Sequence, residues 1–320
     1  MKRTGKKGFT IVELLTVMGV IAVLIGLLVP ALGLVRDYAK TLQQKAQFHS
    51  IGVGLEMFKT EFGSYPSSND NSIAPAHSGD PIPYCGANKL AEAMVGLDMV
   101  GFHPNADFRS DGQNTVVLTT GASQLVNVYN TQGTVNWQTG RENIQARKGP
   151  YMDLENANAF RMDEVYQNGA INPFTQNFVT TDARGNNVTL SPLVLCDVYA
   201  RKRSGIGGKK TGSPILYYRA RTNYTQQNYS IDTNYLDDIY NYDDNIKLLD
   251  LGMPDNNTLF TLNNGVGDEY TKFENMIVND QMQTIRRPYK ADTYILISAG
   301  KDGDFGTADD IFNFERGVSE

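Results

Sequence analysis

Two sets of acidic residues in this sequence stand where a carboxylate is costly or crowded. Glu13 lies four residues after Phe9 inside an apolar run, and no other charge stands from Leu14 to Val35. A carboxylate at bilayer depth costs several kcal/mol unless it meets a partner, so its presence points to function. The chemistry it invites is pairing with a positive charge at the same depth. Cleavage between Gly8 and Phe9 would create that charge. The new amino group of Phe9 would lie one helical turn from Glu13, and close to the Glu13 of a neighbouring copy.

The second set lies near the end, in "SAGKDGDFGTADDIFNF", Ser298 to Phe314. Asp302, Asp304, Asp309 and Asp310 fall within nine residues. Gly300, Gly303 and Gly306 let the backbone turn tightly, so carbonyl oxygens can join the carboxylates. Six or more hard oxygens suit calcium. The spacing is not that of an EF-hand, since Gly306 takes the place of the third acid and no Glu stands at the twelfth. A solvated acidic turn without metal is the alternative.

Other reactive side chains are sparse. Cys85 and Cys196 form no metal-ligand spacing; outside the cytoplasm they can close one disulfide, and two separate buried thiols are the equal alternative. His49, His77 and His103 do not cluster. "ARKRSGIGGKKTG" has glycines and lysines, but no GK followed by Ser or Thr, and reads as a basic hairpin loop. No Ser/His/Asp grouping or paired acids with an enzymatic spacing stand out, so the expected role is not enzymatic. The formal charge of −6 becomes about −10 without Lys2, Arg3, Lys6 and Lys7. An acidic body does not suit nucleic acid, which wants clustered Lys and Arg.

Phe9 to Val35 make 27 residues, and about 20 apolar residues span a bilayer as helix. The basic residues before Gly8 place the N-terminus in the cytoplasm. A secretory signal peptide is the competing reading, but the run is longer than one needs and no small-x-small cleavage site follows. Gly19, Ala22 and Gly26 are small residues that would let packed helices approach. Pro30 removes a backbone donor and should loosen the helix. Helical spacing then continues through Val35, Tyr38, Leu42, Ala46, Leu55, Phe58 and Phe62, with charges between them. Gly63 suits a cap and Pro66 a stop, which gives one helix on the order of 80 Å long.

Beyond it, Asn88 to Val100 reads as a short helix. Ser191–Tyr199, Ser213–Arg219 and Thr293–Ser298 read as strands bounded by turn residues. The Tyr-, Asn- and Asp-rich stretch 223–280 holds Tyr224, Tyr229, Tyr235, Tyr240 and Tyr242, for partner contact or for packing onto the head. Tyr270, Phe273, Ile277, Met282 and Ile285 have helical spacing, opened by Asp268. With 41% apolar and 10% aromatic residues, most of the 320-residue chain can bury a core. The fold expected is α+β: a long N-terminal helix, transmembrane and then amphipathic, packed on a small antiparallel sheet with large inserted loops.

"KKGFTIVELL" resembles the processing signal of type IV pilins and type II secretion pseudopilins: Lys6-Lys7-Gly8 match the basic leader, Phe9 the first mature residue, and Thr10 to Leu15, with Glu13, the rest. Pro30 falls where such helices often have a proline, and "LEMFKTEFGSYPSS" resembles the stretch that ends this helix. Ser298, Gly300, Asp302, Gly303, Gly306, Thr307, Asp309, Asp310 and Ile311 are similar to the calcium-binding loop of the major pseudopilin. The likeness covers about the first 66 and the last 25 residues; the middle departs, with a much larger head. It implies a cleaved leader at 1–8, an assembly half of the helix at 9–35, an amphipathic half at 36–63, and a periplasmic or extracellular head at 64–320 with a calcium loop at 298–314. It implies cleavage after Gly8 and N-methylation of Phe9 by a prepilin peptidase and methyltransferase. Calcium would be held by Asp309 and Asp310 first, and Asp302, Asp304 and Ser298 second. The expected product is a homo-oligomeric filament, a type II secretion pseudopilus, working with other pseudopilins and an inner-membrane assembly platform. Before assembly the subunit would be a single-pass protein of the bacterial inner membrane, in contact with lipid, its N-terminus cytoplasmic and its head periplasmic, and afterwards part of a periplasmic or surface filament. The alternatives are a type IV pilus or DNA-uptake subunit, and a membrane-anchored binding protein or enzyme with a borrowed leader.

Overall fold

The computed structural model describes residues 8–69, 84–117, 121–129, 134–135, 138–166, 178–181, 187–200, 210–227, 238–251, 269–282 and 284–316. The chain forms two compact units, Met1–Gln43 and Gln44–Glu320. Helix α1, Ile11–Phe62, contributes to both and continues past Pro30, where one backbone donor is missing. Gly63 ends it as the spacing predicts: its φ is +78° and its N–H donates to the Lys59 carbonyl at 2.8 Å.

In the first unit, the apolar side chains of α1 from Ile11 to Val35 lie exposed. In the second, α1 buries Gln44, Gln47, Phe48, Ile51, Gly54, Leu55 and Phe58, one stripe at steps of three and four.

The rest of the second unit is assembled from short elements. Helix α2 covers Gly86–Val95. Strands β1 (Gln113–Val117) and β2 (Ser123–Asn127) form an antiparallel hairpin, and β3 (Thr134–Val135) pairs with β4 (Gln138–Thr139). Helices α3 (Gly140–Ala146) and α4 (Leu154–Ala157), strand β5 (Ala159–Arg161) and helix α5 (Met162–Val165) follow. Strands β6 (Phe178–Thr181) and β7 (Asn187–Leu190) pair, and β8 (Leu193–Leu195) pairs with β5. Strand β9 (Leu216–Arg219), helices α6 (Ile246–Leu249) and α7 (Glu269–Ile277), and strands β10 (Tyr294–Ser298) and β11 (Ile311–Phe312) complete the order.

The central sheet is antiparallel, in the order β11-β10-β9, with Tyr294 opposite Arg219 and Ile297 opposite Leu216. Side chains alternate across a strand, and here both faces are covered. Ile295 and Ile297 join a core with Leu216, Tyr218, Tyr240, Phe273 and Ile277. Tyr294 and Leu296 join another with Ile51, Leu55, Phe58, Leu90 and Tyr217. So α1 and α2 pack on one face, and residues 239–249 with α7 on the other. The α+β fold expected from the sequence is what forms.

Several boundaries differ from the sequence reading. Helix α2 begins at Gly86 and stops at Val95, because Gly96 takes φ +78° and a Cβ there would lie 2.1 Å from the Gly101 carbonyl oxygen. Met282 and Ile285 lie beyond the end of α7, and Asp268 falls outside the described residues. Of the tyrosine-rich stretch, Tyr240 and Tyr242 are buried and Tyr224 packs against the same core, whereas Tyr229 and Tyr235 lie outside the described residues. Most of the basic hairpin loop also lies outside them.

Candidate functional site

The first described residues, Gly8, Phe9 and Thr10, have irregular backbone, and Phe9 is 82% exposed. Thr10 and Glu13 form a reciprocal cap on α1. Glu13 Oε2 accepts from the Thr10 N–H and from Thr10 Oγ1, both at 2.9 Å, while the Glu13 N–H donates to Thr10 Oγ1 at 3.2 Å. This is the T-x-x-E capping box, which holds the first backbone donors of a helix. Reading Glu13 only as an acid awaiting a cation misses this local role, although the spacing announces it. Glu13 therefore has its own partners in the single chain, and the helix it opens is long and apolar enough to cross a membrane.

The acidic loop is a closed turn between β10 and β11, whose register sets Ser298 opposite Ile311. Gly300, Gly303 and Gly306 have φ of +61°, +78° and +86°, the left-handed region that favours glycine. At Gly300 a Cβ would stand 2.3 Å from the Asp309 carbonyl oxygen. Inside the turn, Asp309 Oδ2 accepts the N–H groups of Lys301 at 2.6 Å and Asp302 at 3.0 Å, and Oδ1 accepts Thr307 Oγ1 at 2.7 Å. Asp302 Oδ1 accepts the Asp304 N–H at 2.9 Å. Asp310 Oδ2 accepts the Gly306 N–H at 2.7 Å, but Oδ1 is buried without a hydrogen-bond donor. Burial pushes the Asp310 carboxyl up to about 8, and the nearby charges of Asp309 and Asp302 add to the effect that the Gly306 N–H opposes. Phe305, 2% exposed, roots the turn in the core.

Among the described residues, no three His, Cys, Asp or Glu side chains gather closely enough to hold a metal ion. The four aspartates are thus brought into one turn but not to one point. The donor set nevertheless suits a hard cation in one respect: a buried carboxylate oxygen lacking a donor, in a turn rich in carbonyl oxygens, is the group such an ion satisfies. The remaining oxygens would be carbonyls and water. Ser298 has a different occupation. Its hydroxyl donates to Asp197 Oδ2 at 2.9 Å and accepts the Gly300 N–H at 3.2 Å. Asp197, itself buried, holds the Tyr199 and Ser213 N–H groups with Oδ1. Ser298 therefore fastens the loop to the chain before β9.

Cys85 and Cys196 are not joined as a disulfide; both are buried thiols in the same hydrophobic core. Of the histidines, His49 is exposed, His103 is buried with its ring 6.5 Å from that of Tyr129, and His77 falls outside the described residues.

Several buried acids escape a reading of the sequence, Glu92 and Asp244 among them. Glu92 on α2 is 1% exposed and accepts the hydroxyls of Tyr84 and, at 2.7 Å, Tyr129. Burial pushes its carboxyl up to about 7, against those hydrogen bonds and the nearby Lys89 and Arg147. Asp244 is 3% exposed, accepts the Ser68 hydroxyl, and is pushed by burial up to about 6. Lys89 and Glu92 stand three apart on a helix, which reads from sequence as a solvated ion pair; their burial depends on partners distant in the chain.

Among known proteins, the chain is similar to type II secretion system core protein G of Pseudomonas aeruginosa, with 29% identity over 85 residues, which are 26% of this chain. The matched stretch spans 60% of the length of that curated relative. No family model and no solved structure matches the chain.

Proposed function

We propose that this chain is a structural subunit of a filament of the type II secretion pseudopilus kind, built through its N-terminal helix. The observation that carries the reading is the first part of α1: an apolar helix with its side chains exposed and one acid in its first turn. Such a surface needs lipid or other helices around it. The likeness to core protein G supports the same direction.

In this reading the precursor inserts into the bacterial inner membrane with Lys2, Arg3, Lys6 and Lys7 in the cytoplasm and the head in the periplasm. A prepilin peptidase cuts after Gly8, and Phe9 becomes the methylated N-terminus. Its ammonium group then meets Glu13 of the adjoining subunit. Pairing offsets the desolvation of both charges and fixes the register of neighbouring helices. Before cleavage the Thr10 cap satisfies Glu13, so the precursor tolerates its acid while it waits in lipid. Other pseudopilins and an inner-membrane assembly platform are the partners implied.

In this reading Asp310, through the Oδ1 that lacks a hydrogen-bond donor, and Asp309 would hold calcium together with main-chain carbonyl oxygens and water. When bound, the ion supplies the positive charge that the crowded aspartates lack. Ser298, Asp197 and Phe305 hold the turn in place around it.

The test is mass analysis of the mature N-terminus with filament recovery from cells. A chain beginning at methylated Phe9 and recovered in sheared filaments supports the proposal. A chain cut beyond residue 30, or a methylated chain never found in filaments, refutes it.

A further inference from the structure

The end of β9 and the segment that follows α1 border an open cavity of about 280 Å³, whose polar lining includes Ser67, Arg219, Arg221, Thr222, Asn223 and the acid Asp244. Its base is a small polar relay. Asp244 accepts the Ser68 hydroxyl, and Ser68 Oγ accepts the Arg219 N–H at 3.0 Å. Arg221 Nη2 lies 3.7 Å from Asp244 Oδ1. The Arg219 guanidinium makes no hydrogen bond or ion pair among the described residues, although it lines the cavity.

A third cation stands behind the wall. Lys89 is fully buried and sets its Nζ 3.3 Å from Ser67 Oγ and 3.1 Å from Asn69 Oδ1. Two guanidinium groups, of Arg219 and Arg221, thus line the cavity with one carboxylate, that of Asp244, which Lys89 and Arg221 favour and Asp243 disfavours by charge. Glu92, the other acid near Lys89, is already occupied by Tyr84 and Tyr129. The wall also offers the hydroxyls of Ser67 and Thr222 and the amide of Asn223. A site with surplus positive charge and neutral donors rejects metal cations and suits a compact anion. Guanidinium groups present paired N–H donors that match the two oxygens of a carboxylate or phosphate. The volume lies at the small end of ligand pockets, which limits the ligand to a few heavy atoms or to one anionic end group.

We propose that this cavity binds a small oxyanion, phosphate or carboxylate, gripped by Arg219 and Arg221 with Ser67, Thr222 and Asn223 around it. The inference does not depend on the filament reading, since the site is built wholly within the head.

The experiment uses the full chain in detergent, melted in sodium phosphate, sodium acetate or sodium chloride at equal ionic strength, with Arg219→Gln and Arg219→Lys alongside. Ligand well above its dissociation constant should raise the melting temperature by about 3 °C over chloride. A rise with phosphate alone identifies phosphate, and a rise with acetate alone identifies carboxylate-bearing ligands. The rise should vanish in Arg219→Gln and be less than half restored by Arg219→Lys, which keeps the charge but not the fork. Should Arg219→Gln itself melt early, line broadening of the phosphate or acetate resonance by folded protein at low temperature replaces the melt. No rise with either anion, or equal binding by wild type and Arg219→Gln, overturns the proposal.

Discussion

The hydroxyl of Tyr129 donates to the carboxylate of Glu92 across 2.7 Å, joining the end of the β1–β2 hairpin region to the buried helix α2. Tyr84 donates to the same carboxylate. The Arg147 guanidinium lies 4.4 Å from the centre of the Tyr129 ring and pairs with Asp98 at 3.1 Å. The inserted part of the head is thus fastened to its framework by buried polar contacts as well as by apolar packing.

The burial of Glu92 gives a pH dependence. The Glu92 carboxyl is raised in the folded chain from 4.5 to about 7 by burial. The folded state therefore holds a proton that the unfolded state has released. The associated stability is complete below the unfolded value, falls as pH rises through about 7, and is flat above. The loss is on the order of 3 kcal/mol. Urea melts of wild type and Glu92→Gln at about pH 5 and about pH 8 should show a smaller difference in the variant, which stays neutral throughout. Equal differences in the two proteins would contradict this account.

Leu55 is fully buried between the second part of α1 and the sheet. Leu55→Ala should destabilise the head by about 2–5 kcal/mol through lost burial and a cavity. Leu34→Ala, at a position 75% exposed, should leave the melt of the head unchanged. Chemical denaturation of the two variants in detergent checks the contrast.

Calcium should raise the melting temperature of the wild-type chain over that in chelator, by an amount that grows with free ion over its dissociation constant. Asp310→Asn should lose most of that rise. Identical responses in both proteins would remove Asp310 from any cation site.

Glu13→Gln should insert and be processed but yield filaments at least several-fold below wild type, measured by shearing and sedimentation. Thr10→Val removes the hydroxyl half of the cap and should cost filaments less, since the carboxylate remains for its neighbour. Undiminished filaments from Glu13→Gln would defeat the pairing mechanism.

What the sequence made legible were features carried by neighbours along the chain. The apolar run, Gly63 and Pro66 delimit α1 because their signals are local. The runs around Val194, Tyr217 and Leu296 are rich enough in β-branched and aromatic residues to declare strands. Less was legible where distant segments decide. The early end of α2 depends on Gly101 approaching Gly96. Its N-terminus is held from outside too, since the Ala87 N–H donates to Asn245 at 2.9 Å and Asn245 donates to the Tyr217 carbonyl. Nothing near Glu92 in sequence signals that Tyr129, 37 residues away, will bury it. At the acidic turn, the residue types were plain, but which oxygens the backbone N–H groups consume was not.

The covered far face of the central sheet limits how this head can be trimmed. Ile295, Ile297, Leu216 and Tyr218 rest against Tyr240, Phe273 and Ile277, all supplied by the long excursion between β9 and β10. A shortened chain lacking that excursion would lay an apolar wall open to water and invite clumping. The excursion is therefore a structural part of the head, and its outer surface can diverge freely only while those few inward anchors stay apolar.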